Sequence, residues 1–267
     1  MLNRLSPLVY PGGKSRAVKI LKQYVPENVE KIVSPFIGGG SFEIHMANCG
    51  VRVYGYDAFH QLVNFWKHLI DKPKELAAEV LPHYPASKDD YLRTKSYLCE
   101  DGWYNDPLKA AAYFFVVNRM SFSGLTLTDT GTSKDHNFNR ESINFLSSFQ
   151  CPNLSVEYAD YRDTLRHNKD KFMYLDPPYM IKRNLYGVDG ELHAAFNHNE
   201  LASMLQECKT QFLLSYNNCD EIKRLYTGFY IYHHKWANGI AARSSSSRDN
   251  DELIICNYPL PPMPLFA

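Results

Sequence analysis

The sequence has no excess of charge of either sign: 29 Lys and Arg face 29 Asp and Glu, and the isoelectric point is about 7.1. A surface that is basic all over is excluded, so any nucleic-acid contact has to come from charge gathered on one face. The six cysteines, at 49, 99, 151, 208, 219 and 256, form no CxxC pair and have no histidine pair beside them at ligand spacing. Neither a zinc site nor a disulfide framework is expected, and no metal is assigned. Reduced thiols in a cytoplasmic protein are the expectation. The longest apolar run, Ala110 to Val117, is far short of a membrane span, and no apolar signal region opens the chain. No membrane partner is expected. Internal repeats are absent, and the one low-complexity patch, "RSSSSR" at 243–248, reads as a mobile loop. What is present is a 45% apolar content, enough for a real core in one large domain or two small ones.

Short β-rich apolar runs end in Gly, Asp or Pro turns. "KIVSPF" leads into "IGGGS", "VRVYGY" into Asp57, and "KFMYL" into "DPPY", Asp176 to Tyr179. Helical patterns follow at "SFEIHMANC", "AFHQLVNFWKHLI" and "NELASMLQECK". This alternation predicts a doubly wound α/β fold, mostly parallel and covered on both faces. "LSVEYA" and "QFLLSY" supply two more strands. "FYIYHHKW" and "DELIICNY", joined by the Ser-rich loop with no helix between them, read as a terminal antiparallel hairpin and bring the sheet to seven strands. Between Pro73 and Gln150 the pattern turns helical, with "KELAAEVL", "DDYLRTKSYL" and "PLKAAAYFFVVNRM" before the polar stretch "SFSGLTLTDTGTSKDHNFNR". The expected organisation is a catalytic domain formed by 1–57 and 151–267, interrupted by a mostly helical insert at 58–150.

Three turns carry chemistry. "YPGGKSR", Tyr10 to Arg16, ends like a phosphate-binding P-loop, but the pattern needs a Gly at position 8, where Leu8 stands. Pro11 also removes a backbone donor from the loop. A Pro-Gly turn entering a helix, with Ser15 as its cap and "AVKILKQYV" as its amphipathic face, is the local reading. "FIGGGS" is a Gly cluster at a strand-to-helix turn, where backbone can approach a ligand closely. Asp57 lies 17 residues after Gly40 at the end of the next strand, the place where a doubly wound fold puts an acid against ribose hydroxyls. Together they suggest an adenosine-containing cofactor. In "DPPY", Asp176 and the Pro177 carbonyl offer two acceptors beside the aromatic face of Tyr179, a set suited to a planar ring carrying an amino group.

At this point the sequence resembles the DNA adenine methyltransferases of the Dam type, in the class whose target-recognition insert precedes DPPY. "YPGGKSR", "SPFIGGGS", "YGYD", "NRMSFSG", "YLDPPY" and "ELIICNY" occur in that family's order and span most of the chain. The resemblance implies the S-adenosylmethionine-dependent methyltransferase fold, with S-adenosyl-L-methionine as cofactor and double-stranded DNA as partner. It implies that Tyr10 and Lys14 contact the cofactor, that Phe36 and Gly38, Gly39 and Gly40 line its pocket, and that Asp57 holds its ribose. Asp160, in "EYADY", would approach the cofactor's adenine. Asp176, Pro177 and Tyr179 would hold a target adenine extruded from the duplex, with Asp176 also bordering the cofactor. The reaction the resemblance implies is direct transfer of the sulfonium methyl to the exocyclic amino nitrogen, without metal.

In the insert, Asn118, Arg119, Lys134 and Arg140 are the expected DNA contacts, with Arg119 as candidate reader of a guanine edge and Lys134 and Arg140 on phosphates. The GATC-specific members carry a basic residue soon after the Gly-Leu; here "TLTDTG" follows, so the resemblance does not extend to GATC. Two alternatives stand beside this reading: an RNA base amino-methyltransferase, and a catalytically silent DNA-binding protein of the same fold.

Overall fold

The computed structural model describes residues 5–128, 131–132, 137–182, 184–235 and 251–260. In chain order these form α1 (Val18–Tyr24), β1 (Lys31–Ser34), α2 (Ser41–Asn48), β2 (Arg52–Asp57), α3 (His60–Asp71), α4 (Pro73–Val80), α5 (Lys88–Cys99), α6 (Pro107–Met120) and α7 (Arg140–Ser147). They continue with β3 (Leu154–Tyr158), α8 (Tyr161–His167), β4 (Phe172–Leu175), α9 (Glu191–Ala194), α10 (His198–Gln206), β5 (Phe212–Asn217), α11 (Asp220–Leu225), β6 (Tyr230–Lys235) and β7 (Asp251–Cys256). The Ser-rich patch between the last two strands lies outside the described residues.

The strands form one sheet in the order β3-β2-β1-β4-β5-β7-β6. All neighbours are parallel except β7, which runs antiparallel to both β5 and β6. The expected antiparallel hairpin is there, but its second strand slots between β5 and the first. Chain order reverses between β1 and β4, and at such a switch point the carboxyl ends of the strands part to leave a crevice.

The strand period of two divides each strand between two cores. Phe172, Tyr174, Leu213 and Ile254 face one core; Met173, Leu175, Leu214, Leu253 and Ile255 face the other. The second core is closed by Tyr161, Leu201, Leu205 and Ile222 from α8, α10 and α11. The first continues without a break into the insert. Helix α3 lies on β2 and β3 and also against α6, while α4 and α5 pack on α6 from other sides. This is why α6 is apolar nearly all round: Phe114, Phe115, Val116 and Val117 are wholly buried, each contributing roughly 1.5–3 kcal/mol. The helical insert and one face of the sheet therefore share a single core. Asp106 starts α6 by accepting from the Lys109 N–H, with Pro107 at the first helical position. Ser15 does not cap α1 as expected. Ala17 occupies that position, and the Ser15 hydroxyl pairs instead with Ser41 at 2.9 Å, tying the first loop to the start of α2.

Candidate active site

A cavity of about 170 Å³ opens where the carboxyl ends of β1, β2, β3 and β4 meet the N-terminal loop. Tyr10, Lys14, Phe36, Gly38, Gly39, Gly40, Asp57, Asp160 and Asp176, all expected at a cofactor site, line it together. Pro177 and Tyr179 lie off this cavity.

The glycine turn is shaped by its neighbours. A side chain on Gly39 would come within 2.7 Å of Tyr10 Cβ, and one on Gly38 within 2.8 Å of the Tyr10 ring, so the bare backbone is what lets the N-terminal loop lie over the turn. Trp66, from α3, donates its indole N–H to the Gly38 carbonyl at 3.0 Å, and Ser6 donates to the Gly39 carbonyl. Asp57 closes the turn from β2, accepting from the Gly38 N–H at 3.1 Å and the Phe59 N–H at 3.0 Å. The upper wall is aromatic. Tyr10 stacks on Tyr186 at 5.6 Å, and Phe36 meets Tyr161 and Phe196 at 5.5 and 5.7 Å. Tyr186 and Phe196 belong to the segment after DPPY, which sequence reasoning had not marked; two isolated aromatics carry no motif. Asp160 is also the N-cap of α8, accepting from the Arg162 N–H at 2.8 Å and the Arg162 guanidinium at 3.0 Å. Its carboxylate borders the cavity with both oxygens already engaged.

Lys14 answers the question raised by its P-loop-like setting. Its ammonium donates to both oxygens of Asp176, at 2.8 and 2.9 Å, and to the Gly12 carbonyl at 2.9 Å. Glu252 of β7 lies 3.8 Å away. Lys14 is only 5% exposed, and its pKa is nonetheless raised: burial works against the charge, but Asp176 and then Glu252 outweigh it. β5 completes the support of DPPY. Ser215 donates to Asp176 Oδ1 at 2.8 Å, while two residues on, and so on the same face, Asn217 pairs with both backbone groups of Met180. Tyr179 has the Lys14 ammonium 4.8 Å from its ring centre and lies nearly parallel to Tyr216 at 5.9 Å.

Burial pushes the Asp57 carboxyl up to about 6, against three backbone N–H groups that favour the anion. A carboxyl raised in the folded state costs stability above that value, and the cost is relieved as pH falls towards the ordinary carboxyl range. A ligand that needs the anion shows the opposite trend. Affinity for an adenosine cofactor should fall as pH drops below about 6, approaching tenfold per pH unit, while Asp57→Asn binds weakly with no such step. Titration calorimetry between pH 5 and 8 measures this; a flat profile in the parent would contradict it.

Two of the four expected DNA contacts, Asn118 and Arg119, are buried. Arg119 is 1% exposed, at the end of α6. Its guanidinium donates to the Asn137 carbonyl at 2.6 and 3.0 Å and to the Pro7 carbonyl at 3.4 Å. Asn118 is buried beside it, exchanging two bonds with the Val9 backbone at 2.8 and 3.0 Å. A side chain so enclosed does not reach a base edge. These two residues clasp the N-terminal loop to the insert. Lys134 lies outside the described residues. Arg140 opens α7 at the surface, its guanidinium 5.5 Å over the Tyr84 ring. The exposed feature of this region is Phe122, 54% accessible on a tight turn where Ser123 has φ 55°. The turn is held by a Ser121–Thr132 bridge and by Gly124 packed on Val9. Among the described residues no acidic, His or Cys cluster is placed to hold a metal ion, and no helix is long and apolar enough to cross a membrane.

Over residues 10–240 the chain matches the family described as D12 class N6 adenine-specific DNA methyltransferase. It is 22% identical to a type II methyltransferase of Lactococcus lactis subsp. cremoris, over 93% of this chain and 94% of that one. To a type II methyltransferase of Paramecium bursaria Chlorella virus NC1A it is 24% identical, over 95% of this chain and all of that one. The DNA adenine methylase of Haemophilus influenzae is 21% identical, over 83% and 82% of the two chains.

Proposed function

The chain belongs to the D12 class of N6 adenine-specific DNA methyltransferases, and from that premise we propose that S-adenosyl-L-methionine binds in the Tyr10–Asp57–Asp176 cavity and that a target adenine, extruded from duplex DNA, is presented to Asp176. The observation that carries this is the convergence of the N-terminal loop, the glycine turn, Asp57 and Asp176 on one crevice at the β1/β4 switch point. The residues fit the cofactor. A bare glycine turn, an aromatic wall and an acid able to accept from ribose hydroxyls meet there, and the bound cofactor supplies an electrophilic methyl group.

The protein's part is positioning and electrostatics. An adenine amino nitrogen is a poor nucleophile because its lone pair is delocalised into the ring. Accepting its hydrogens at Asp176 and at the Pro177 carbonyl favours the tetrahedral nitrogen of the transition state over the planar one of the ground state. Oδ1 of Asp176 accepts from Lys14 and Ser215, and Oδ2 from Lys14. Oδ2 is the less engaged oxygen and is the one assigned to the base. Lys14 pairs with both carboxylate oxygens and holds the group turned towards the cleft. Tyr179 forms the aromatic wall for the extruded ring, stacking worth roughly 1–3 kcal/mol against an extrusion cost of a few kcal/mol. Titration calorimetry should show binding of S-adenosylmethionine and none of ATP with magnesium; tight ATP binding would overturn the assignment.

On the DNA side, Arg140 contacts phosphate, and Phe122 enters the duplex next to the vacated base. The turn that presents Phe122 holds a non-glycine residue in the left-handed region, a cost of roughly 1–2 kcal/mol kept at a place where an exposed apolar ring is otherwise unexplained. Phe122→Ala should weaken duplex binding by about 10- to 100-fold and reduce the signal of a fluorescent base analogue at the target position, with cofactor affinity unchanged. An unchanged extrusion signal would remove Phe122 from this role. Two relatives are named type II methyltransferases, and we read the methylation here as the protecting half of a restriction-modification pair. A restriction challenge of DNA from cells expressing the protein tests that reading.

A further inference from the structure

Glu43 is a buried ionisable group to which the transfer step assigns no task. It is the third residue of α2, 3% exposed, and borders the proposed cofactor cavity. Its Oε1 accepts from the Ser34 hydroxyl at 2.6 Å, which fixes the carboxyl at the carboxyl end of β1. The charged and titratable groups facing it are Lys14 from the N-terminal loop, Tyr174 from β4 and Asp176 just beyond that strand. Lys14 is already shared between Asp176 at 2.8 Å and Glu252 at 3.8 Å. Among the described residues Lys14 is the cation facing Glu43, and a charge on Glu43 would draw on an ammonium that Asp176 already holds at 2.8 Å, in a buried, apolar-walled site.

We propose that Glu43 reads the positive charge of the cofactor's methionine arm: it gives up its proton to solvent when the sulfonium cofactor enters, and so favours the methyl donor over its neutral thioether product. This rests on the cofactor reading above. The chemistry is a matter of charge. The methionine arm of S-adenosylmethionine carries an ammonium, a carboxylate and a sulfonium, one positive charge in excess. S-adenosylhomocysteine has lost the sulfonium charge and is neutral there. A cluster held one negative charge short of full ionisation is matched by the donor and not by the product.

Burial pushes the Glu43 carboxyl up to about 8, with Asp176 adding to the rise and Ser34 and Lys14 opposing it. At neutral pH the empty site therefore holds a proton there. A cation brought alongside lowers that pKa, so binding near pH 7 expels the proton, and affinity for the donor rises with pH until about 8. The same acid gives the neutral product little to respond to.

The test is titration calorimetry of the full-length chain at pH 7, in buffers of different ionisation enthalpy, with S-adenosylmethionine and with S-adenosylhomocysteine. The parent should release close to one proton with the first and markedly fewer with the second. Glu43→Gln, which keeps the acceptor for Ser34, should bind both ligands, release no proton, and lose about tenfold of its preference for S-adenosylmethionine. Ser34→Ala removes the tether and leaves the acid, so proton release and preference should persist. Equal proton counts for the two ligands in the parent would overturn the inference, even if Glu43→Gln failed to fold. So would a Glu43→Gln protein that still releases the proton, or a Ser34→Ala protein that loses the preference. If the parent binds neither ligand, the cofactor reading itself fails, a result distinct from all of these.

Discussion

Asp176→Ala is expected to lower single-turnover methyl transfer to duplex DNA by about 10³-fold or more, with the fold intact. The loss is large because the carboxylate is aimed at a group whose geometry changes in the transition state, so its contribution falls on the rate more than on binding. The fold survives because Lys14 retains Glu252 and the Gly12 carbonyl, and because Asn217 still holds Met180 and with it the turn. Cofactor affinity, proposed to rest on Asp57, Tyr10 and the glycine turn, should change far less. Rapid-quench measurement on a duplex carrying the cognate site decides the matter. Activity within tenfold of the parent would remove Asp176 from the reaction.

Gly124→Ala is the substitution expected to cost most stability. Gly124 has φ +74°, and a β-carbon there would stand 2.0 Å from the Val9 carbonyl oxygen, which is backbone and has no rotamer to change. Left-handed strain and overpacking together amount to about 2–5 kcal/mol. The damage would also be directed: Val9 precedes Tyr10 and is gripped by Asn118, so the displaced segment leads straight into the loop proposed to hold the cofactor. Chemical denaturation should show the full destabilisation, together with weaker cofactor binding. A stability within 1 kcal/mol of the parent would mean that the loop does not pack on this turn. The same clasp predicts that Arg119→Ala weakens DNA binding on all sequences alike, instead of relaxing one base pair.

β1, β2 and β4 were legible because each sends residues to two apolar cores and stops at a Pro or Asp turn. The match of "PLKAAAYFFVVNRM" to α6 followed from its length and from Pro107 at its start. The pocket was legible wherever a motif named it, since backbone-shaping residues such as Gly38 to Gly40 and Asp57 sit at fixed places relative to strand ends. What was not legible depends on partners far away in the chain. Asn118 and Arg119 sit in the last turn of an apolar helix and look like surface residues, yet they reach carbonyls at Val9 and Pro7, more than a hundred residues earlier. Ser15 sits where a cap belongs, but its hydroxyl is drawn off by Ser41. Ser215, Glu43 and Tyr186 are single residues whose roles exist only once β5, α2 and the segment after DPPY are folded around the same crevice.

This chain belongs to the N6 adenine-specific DNA methyltransferases, and its expected product is N6-methyladenine in double-stranded DNA. The most direct measurement is incubation with methyl-labelled S-adenosylmethionine and unmethylated duplex DNA, alongside RNA of matching sequence, followed by digestion to nucleosides and chromatography. Label recovered as N6-methyldeoxyadenosine from the duplex, absent from the RNA and abolished in Asp176→Ala, is the predicted result. Label confined to RNA, label on cytosine, or no transfer at all by a protein that binds the duplex would contradict it.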